Sequence, residues 1–192
     1  MMFSKTRLAF TLAATLISGS VLAQDYSIDP THTSVVVSWN HFGFSNPTAS
    51  FSDASGTISF DEKAPAKASI NVTIPVKTVD TKVAKLNEEF INEADYFDVA
   101  KFPTATFKST KVTAKGNNQF DVAGDLTIKG VTKAVVFNAK LNGMGEHPMT
   151  KKAAIGFDAS TVIKRTEFNL GKYAPYVSDE VTLTITTEAQ AK

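Results

Sequence analysis

Strict alternation of apolar and polar residues over positions 120–141 is the feature that most constrains the fold of this chain. The alternation runs through 120–128, stops at Lys129-Gly130, and resumes beyond that pair. A period of two with a glycine-containing break predicts an antiparallel hairpin that has one buried face and one solvated face. The apolar face carries Phe120, Val122, Leu126, Ile128, Val135, Phe137, Ala139 and Leu141.

The same period of two recurs through most of the remaining chain. Together with the hairpin, the repeats predict an all-β fold of about eight antiparallel strands. A sheet of that size has edges that invite aggregation, and closure into a barrel removes them. An eight-stranded barrel is either filled by its own side chains or wide enough for one small ligand, and the pattern leaves both open. The further alternating segments are 35–41, 57–60, 70–76, 104–114, 153–159 and 181–186.

One segment has the period of a helix instead. The apolar residues Val83, Leu86 and Phe90 fall three and four positions apart. That spacing predicts a short amphipathic helix, with Asp80 or Thr81 as its N-cap. The fold class expected is therefore an antiparallel β-barrel with one or two short helices.

Residues 1–23 have the composition of an export signal. Lys5 and Arg7 precede an apolar run, and a small-residue cleavage site follows at Val21-Leu22-Ala23. An uncleaved membrane anchor is the alternative, but the apolar run is short for a membrane span. We therefore expect cleavage after Ala23, release into the bacterial periplasm without stable membrane insertion, and one barrel domain over 24–192.

Composition excludes several classes of function. The chain has no cysteine, which excludes disulfides, thiol catalysis and cysteine-rich metal sites. Its formal net charge is +1, and removal of Lys5 and Arg7 with the leader brings that charge to −1. A near-neutral chain without a basic block is not expected to bind nucleic acid or to dock electrostatically on anionic lipid. A homodimer is left open by the sequence.

No motif predicts an enzyme, a metal site or a cofactor. The histidines His32, His41 and His147 are far apart and lack the spacing of metal ligands. The sequence has neither a Gly-x-Ser-x-Gly elbow nor a glycine-rich phosphate loop. His41 shares a strand face with Trp39, where a histidine is either hydrogen-bonded within a core or placed to orient a ligand. Arg165 poses a similar choice, because it needs an anionic partner if it faces inward and none if it faces outward.

Five segments, in order along the chain, form a recognisable set. They are 26–35 with the strand that follows, 96–103, Gly124-Asp-Leu-Thr-Ile-Lys-Gly-Val-Thr-Lys133, 163–168 and 178–181. Together they resemble the YceI-like proteins, a family also called polyisoprenoid-binding. Two positions depart from the family pattern, since Ala49 and Asn169 stand where glycine is frequent; asparagine tolerates a positive φ better than most residues.

The resemblance implies a lipocalin-like, extended barrel whose apolar interior holds a long isoprenoid, such as a polyprenyl phosphate or a prenylated quinone, or a similar amphiphile. It implies that the cavity is lined by Val37, Trp39, Phe107, Phe137, Ile155 and Phe157, that its helical mouth is formed by Phe90, Tyr96 and Phe97, and that His41 and Arg165 lie near the polar head of the ligand. Ordinary core packing explains each apolar residue equally simply.

Three functions follow from a lipid-filled barrel. We expect first a carrier that holds or sequesters the lipid. An auxiliary of membrane redox chemistry, presenting a prenylated quinone to a membrane partner, would share the cavity but need a docking surface. An enzyme acting on an isoprenoid would need a titratable pair in the cavity, and His41 with a carboxylate is the one candidate.

Overall fold

The computed structural model describes residues 23–192, and within them the chain forms ten β-strands, one α-helix and four short 3-10 helices. The predicted export signal, apart from Ala23, lies outside the described residues. The helices are α1 (Ala84–Asn92) and the 3-10 turns Pro30–His32, Pro65–Lys67, Val76–Thr78 and Arg165–Phe168. The strands are β1 (Gln24–Ile28), β2 (Ser34–His41), β3 (Thr48–Phe51), β4 (Ser55–Phe60), β5 (Ser69–Pro75), β6 (Thr104–Gly116), β7 (Gln119–Ile128), β8 (Val131–Glu146), β9 (Ala153–Lys164) and β10 (Val177–Ala191).

Eight of these strands close into an antiparallel barrel. The hydrogen-bonded order is β1, β4, β5, β6, β7, β8, β9 and β10, and β10 pairs again with β1. The long strand β10 has two partners on that side, because 177–186 pairs with β2 and 189–191 pairs with β1. Strand β3 extends the sheet beyond β2. The predicted barrel of about eight strands is confirmed, with β2 and β3 as additional strands.

The hairpin predicted from the alternation is β7 and β8. Its turn is at Lys129-Gly130, with φ of +48° and +73°, the left-handed conformation that two-residue hairpin turns favour. The predicted apolar face is buried or half-buried along its whole length. Gly124 lies on this inward face beneath the ring of Phe107, where a Cβ atom would be only 2.4 Å from Phe107 Cζ. The absence of a side chain at Gly124 therefore lets that ring lie across the sheet.

The strands run between two ends of the barrel, called here the mouth and the base. The base carries the turn at 117–118 and the turn at 147–152. Four connections gather at the mouth: the β2–β3 loop (42–47), the segment 76–103 that contains α1, the Lys129-Gly130 turn, and the β9–β10 connection (165–176).

The predicted helix is present as α1, but its predicted N-cap is wrong. The N-cap is Val83, which makes no side-chain capping bond. Thr81 is instead held by Asn87, whose amide oxygen accepts from the Thr81 backbone N–H at 2.8 Å and from its hydroxyl at 2.6 Å. The Asp80 carboxylate accepts a hydrogen bond from the backbone N–H of Lys82 at 2.8 Å. Within residues 23–192, no helix has the length and apolar character needed to cross a bilayer.

Candidate functional site

The barrel is hollow, which answers the question that the sequence pattern leaves open. A cavity of about 610 Å³, the upper cavity, opens at the mouth. A second cavity of about 140 Å³, the lower cavity, lies toward the base. The two adjoin, because they share the wall residues Val35, Ile74, Leu126 and Leu183. The upper cavity has the volume of a ligand pocket, and the lower cavity extends it toward the base.

Seven of the eleven predicted site residues line the upper cavity. Its aromatic wall is centred on Phe90 of α1, whose ring centroid lies 6.0 Å from Trp39 and 4.8 Å from Tyr96. The helix thus closes one side of the mouth with its apolar face. The seven residues are Val37, Trp39, His41, Phe90, Tyr96, Phe97 and Arg165.

Three more of the predicted residues, Phe107, Phe137 and Phe157, line the lower cavity. The rings of Phe107 and Phe137 meet edge to face at 5.1 Å. The polar side chains on its wall are Thr33 and Thr187, whose hydroxyls bond to each other at 2.8 Å. The Thr187 hydroxyl can also donate to Glu188 O at 3.5 Å, so both hydroxyl hydrogens have an acceptor when Thr33 donates to Thr187. A ligand in this cavity would therefore meet mainly hydrocarbon.

Ile155 is the predicted residue that the structure places on neither cavity wall. It is 2% exposed and belongs to the packed core. The rings of Phe60 and Phe157 meet at 5.5 Å and form part of the cavity floor together with Phe120. Ile155 lies two residues nearer the base than Phe157, so this aromatic floor separates it from the cavity.

Arg165 faces inward, but its partners are backbone carbonyls rather than an anion. Its Nε donates to Ser178 O at 2.7 Å, and its Nη2 donates to Val177 O at 2.7 Å. Nη1 donates to Lys172 O at 2.9 Å and to Leu170 O. Burial lowers the pKa of the guanidinium. The side chain therefore fastens the β9–β10 connection and retains one N–H for a ligand.

Asn169 begins the irregular part of this connection. Its φ is +58° and its ψ is +36°, the left-handed conformation in which asparagine replaces glycine at low cost. The departure from the family pattern at this position thus leaves the backbone turn intact.

Two lysines at the mouth were not predicted from the sequence. Lys172 Nζ donates to Glu93 at 2.7 Å and lies 4.9 Å from the Tyr96 ring centroid, and the Glu93 hydrogen bond raises the pKa of Lys172. Lys129 Nζ donates to Ala94 O at 2.6 Å and to Asn169 O at 2.9 Å, and burial lowers its pKa. Both lysines tie the chain after α1 to the barrel. No periodic signal reveals such contacts, because they join irregular segments.

His41 lies at the mouth and is exposed. Its ring meets the Phe42 ring edge to face at a centroid distance of 4.6 Å. Among residues 23–192, no carboxylate oxygen lies within 4.0 Å of the His41 ring nitrogens. The other histidines lie elsewhere, since His32 pairs with Asp29 at 2.9 Å and His147 accepts N–H bonds within its own turn. The same range contains no cluster of three or more His, Asp or Glu side chains suited to a metal ion.

Comparison with known proteins agrees with this architecture. The YceI-like domain family matches residues 26–189. The protein YceI of Salmonella arizonae is 42% identical over 187 residues, which cover 96% of each chain. The crystal structure of BcnA from Burkholderia cenocepacia superposes with a TM-score of 0.76 at 27% identity, covering 84% of this chain and 98% of that chain. A domain from Saccharophagus degradans, described as polyisoprenoid-binding, shares the fold with a TM-score of 0.64 at 17% identity, covering 89% of this chain and 99% of that chain. By its sequence and by its barrel, the chain belongs to the YceI-like family.

Proposed function

We propose that this protein is a periplasmic carrier that holds a long isoprenoid, or a similar amphiphile, in the two adjoining cavities. The continuous, mainly apolar interior carries this proposal, because a wide cavity at the mouth leads to a narrow one whose two threonine hydroxyls are hydrogen-bonded. That shape suits a ligand with a bulkier end at the mouth and a hydrocarbon tail toward the base. Export to the periplasm rests on the leader over 1–23.

Burial of hydrocarbon supplies enough free energy for such binding without covalent or metal chemistry. Enclosing on the order of 500 Å² of isoprenoid surface contributes roughly 12 kcal/mol gross. Ordering a flexible tail and losing translational freedom offset several kcal/mol of this. Selectivity for the head group is expected to be modest, because Arg165 is largely occupied by backbone carbonyls.

Two further observations support binding rather than catalysis. One structural neighbour is described as a polyisoprenoid-binding domain. His41, the candidate base, has no carboxylate partner within 4.0 Å in the described part of the chain. A general acid–base pair needs its members within hydrogen-bond reach.

The proposal is tested by isolating the protein from its own host and analysing it by native mass spectrometry and solvent extraction. A bound long isoprenoid, released as one molecule per barrel, is the expected result. Uptake is then followed with purified polyprenyl alcohols, using the fluorescence of Trp39, the single tryptophan of the chain. Recovery of no apolar molecule together with no uptake in vitro would refute the proposal.

The lower cavity should set the preferred length of the lipid tail. Ala139 of β8 lines that cavity, and Ala139→Phe would fill much of its 140 Å³. We expect affinity for long polyprenyl alcohols to fall about tenfold or more, with short ones little affected, because the end of the tail loses its burial. Titrations monitored by Trp39 fluorescence measure this.

The matched control is Ala134→Phe, which adds the same ring on the exposed face of the same strand. It should leave the chain-length preference unchanged. An equal loss of affinity for short and long chains in Ala139→Phe would contradict a tail-measuring role.

A further inference from the structure

The mouth is surrounded by exposed aromatic side chains, which a water-soluble protein normally buries. Phe42 and Phe44 project from the β2–β3 loop with 47% and 91% of their surface exposed. Tyr173 and Tyr176 project from the β9–β10 connection with 58% and 74% exposed. These four residues are called here the aromatic rim. They account for the exposed large aromatic residues of the described chain.

The two loops that carry the rim are held in place by backbone hydrogen bonds. In the first loop, His41 N donates to Ser45 O at 2.8 Å, and Phe44 N donates to His41 O at 3.0 Å. The loops are joined to each other, because Phe42 N donates to Tyr176 O at 3.1 Å. The chain therefore holds Phe44 at the apex of an ordered turn, pointing away from the core.

Backbone conformation at the rim supports a functional reason for this arrangement. Phe42 has a φ of +53° and Tyr173 a φ of +64°. Bulky side chains are unfavourable in the left-handed region, where glycine, asparagine or aspartate is usual. Unfavourable backbone conformations of this kind concentrate at binding sites.

The rim is continuous with the upper cavity. Phe42 and Tyr173 contribute to both, since each is exposed at the mouth and also lines the cavity wall. A hydrocarbon chain that leaves the cavity between the two loops would pass the rings of Phe42 and Tyr173 on the cavity wall. Because the exposed rim and the cavity wall share apolar side chains, the mouth is suited to contact an apolar environment.

We propose that the aromatic rim docks the mouth of the barrel shallowly and reversibly on the surface of a lipid bilayer, so that lipid passes between membrane and cavity without exposure to water. The proposal rests on the proposed function and names the membrane as its partner. Phenylalanine and tyrosine suit the boundary between headgroups and acyl chains.

Charge near the mouth favours a neutral bilayer over an acidic one. Lys82 pairs with Asp80, and Lys172 pairs with Glu93 at 2.7 Å. Lys129 and Arg165 donate to carbonyls, but the carboxylates of Asp95 and Asp98 lie near Lys129 and that of Asp179 lies near Arg165. The mouth therefore has little local excess of positive charge, so anionic headgroups add little attraction. The rim itself consists of four side chains on two loops, far fewer than the roughly 20–30 residues that each side of a stable protein–protein interface contributes.

The test is sedimentation of the full mature chain with large vesicles of pure phosphatidylcholine. Weak binding that changes little between low and high salt is expected. Phe44→Ser combined with Tyr176→Ser should reduce vesicle binding about tenfold or more, because two large apolar groups no longer enter the interface. Neither residue lines either cavity.

The matched control combines Met149→Ser with Val162→Ser. Both residues are exposed, at 84% and 56%, but they lie at the base turn and on the outer face of β9. This control should bind vesicles like the unchanged protein. Vesicle binding that is insensitive to the rim variant, or equally reduced by the control, would overturn the proposal.

A second measurement separates this proposal from the proposed function. A polyprenyl alcohol delivered from ethanol should be taken up equally by the rim variant and the unchanged protein, whereas transfer from vesicles should slow about tenfold in the variant. Uptake from ethanol without any vesicle binding would overturn the docking proposal alone. No uptake by either route would refute the carrier function. Rim-dependent transfer from native membranes but no binding to lipid vesicles would assign the rim to a protein partner, against the proposal.

Discussion

Replacing Arg165 with methionine is expected to lower the free energy of unfolding by about 3 kcal/mol. The guanidinium donates to the carbonyls of Leu170, Lys172, Val177 and Ser178. Methionine retains much of the apolar stem but leaves these acceptors without their shared donor. Half-buried carbonyls that lose such a donor regain only part of the bond from water. Chemical denaturation followed by Trp39 fluorescence measures the change.

Two companion variants make the result specific. Arg165→Lys keeps the charge, but a single ammonium cannot reach four carbonyls in a planar fork, so most of the loss should remain. Lys164→Met removes the charge of the exposed neighbouring residue and should change stability by less than about 0.5 kcal/mol. Wild-type stability in Arg165→Met, together with a large loss of lipid affinity, would show that Arg165 binds the head group instead.

Arg165 also links the cavity to the aromatic rim. It lines the upper cavity, and the segment that it fastens carries Tyr173 and Tyr176. The inward arginine thus satisfies its hydrogen-bonding groups by organising the mouth. The sequence shows only that Arg165 needs partners, because its carbonyl acceptors come from residues without a periodic pattern.

The fold was largely predictable because it depends on local alternation. Phe120 to Ile128 follow a period of two, and Lys129-Gly130 is a two-residue turn, so this hairpin can be read from the sequence without the rest of the barrel. Strands β1 and β3 could not be read in this way. Each contributes only two inward apolar residues, Tyr26 with Ile28 and Ala49 with Phe51. Strand β4 has a repeat of the same length, but β1 and β3 each lie within two residues of a proline, which indicates a loop.

The interior was harder to predict than the strands around it. Alternation shows that Phe157 and Ile155 both face inward, but only the three-dimensional packing shows that the aromatic floor lies between Ile155 and the cavity. Whether a barrel is filled or hollow depends on the summed volumes of side chains from all strands. A single sequence segment does not contain that information.

The second large effect is expected at Gly124, inside the hairpin that defines the fold. Gly124→Ala should lower the free energy of unfolding by about 3 kcal/mol. The added Cβ would lie 2.4 Å from Phe107 Cζ and 2.5 Å from Lys108 O. The ring can turn only into neighbours such as Phe137, whose centroid is 5.1 Å away. The carbonyl cannot move without disturbing the β6–β7 ladder, so relaxation is limited on both sides.

Gly143→Ala on β8 is the matched control, because its Cβ would meet no atom within 4 Å. It should change stability by less than about 0.5 kcal/mol. Combining Gly124→Ala with Phe107→Leu should recover part of the loss relative to the sum of the single changes, since the ring contact is removed while the carbonyl contact remains. Strict additivity in this double-mutant cycle would show that Phe107 is not what requires glycine at this position. A coupling of the expected sign would tie the glycine of the hairpin motif to the ring that forms the wall of the lower cavity.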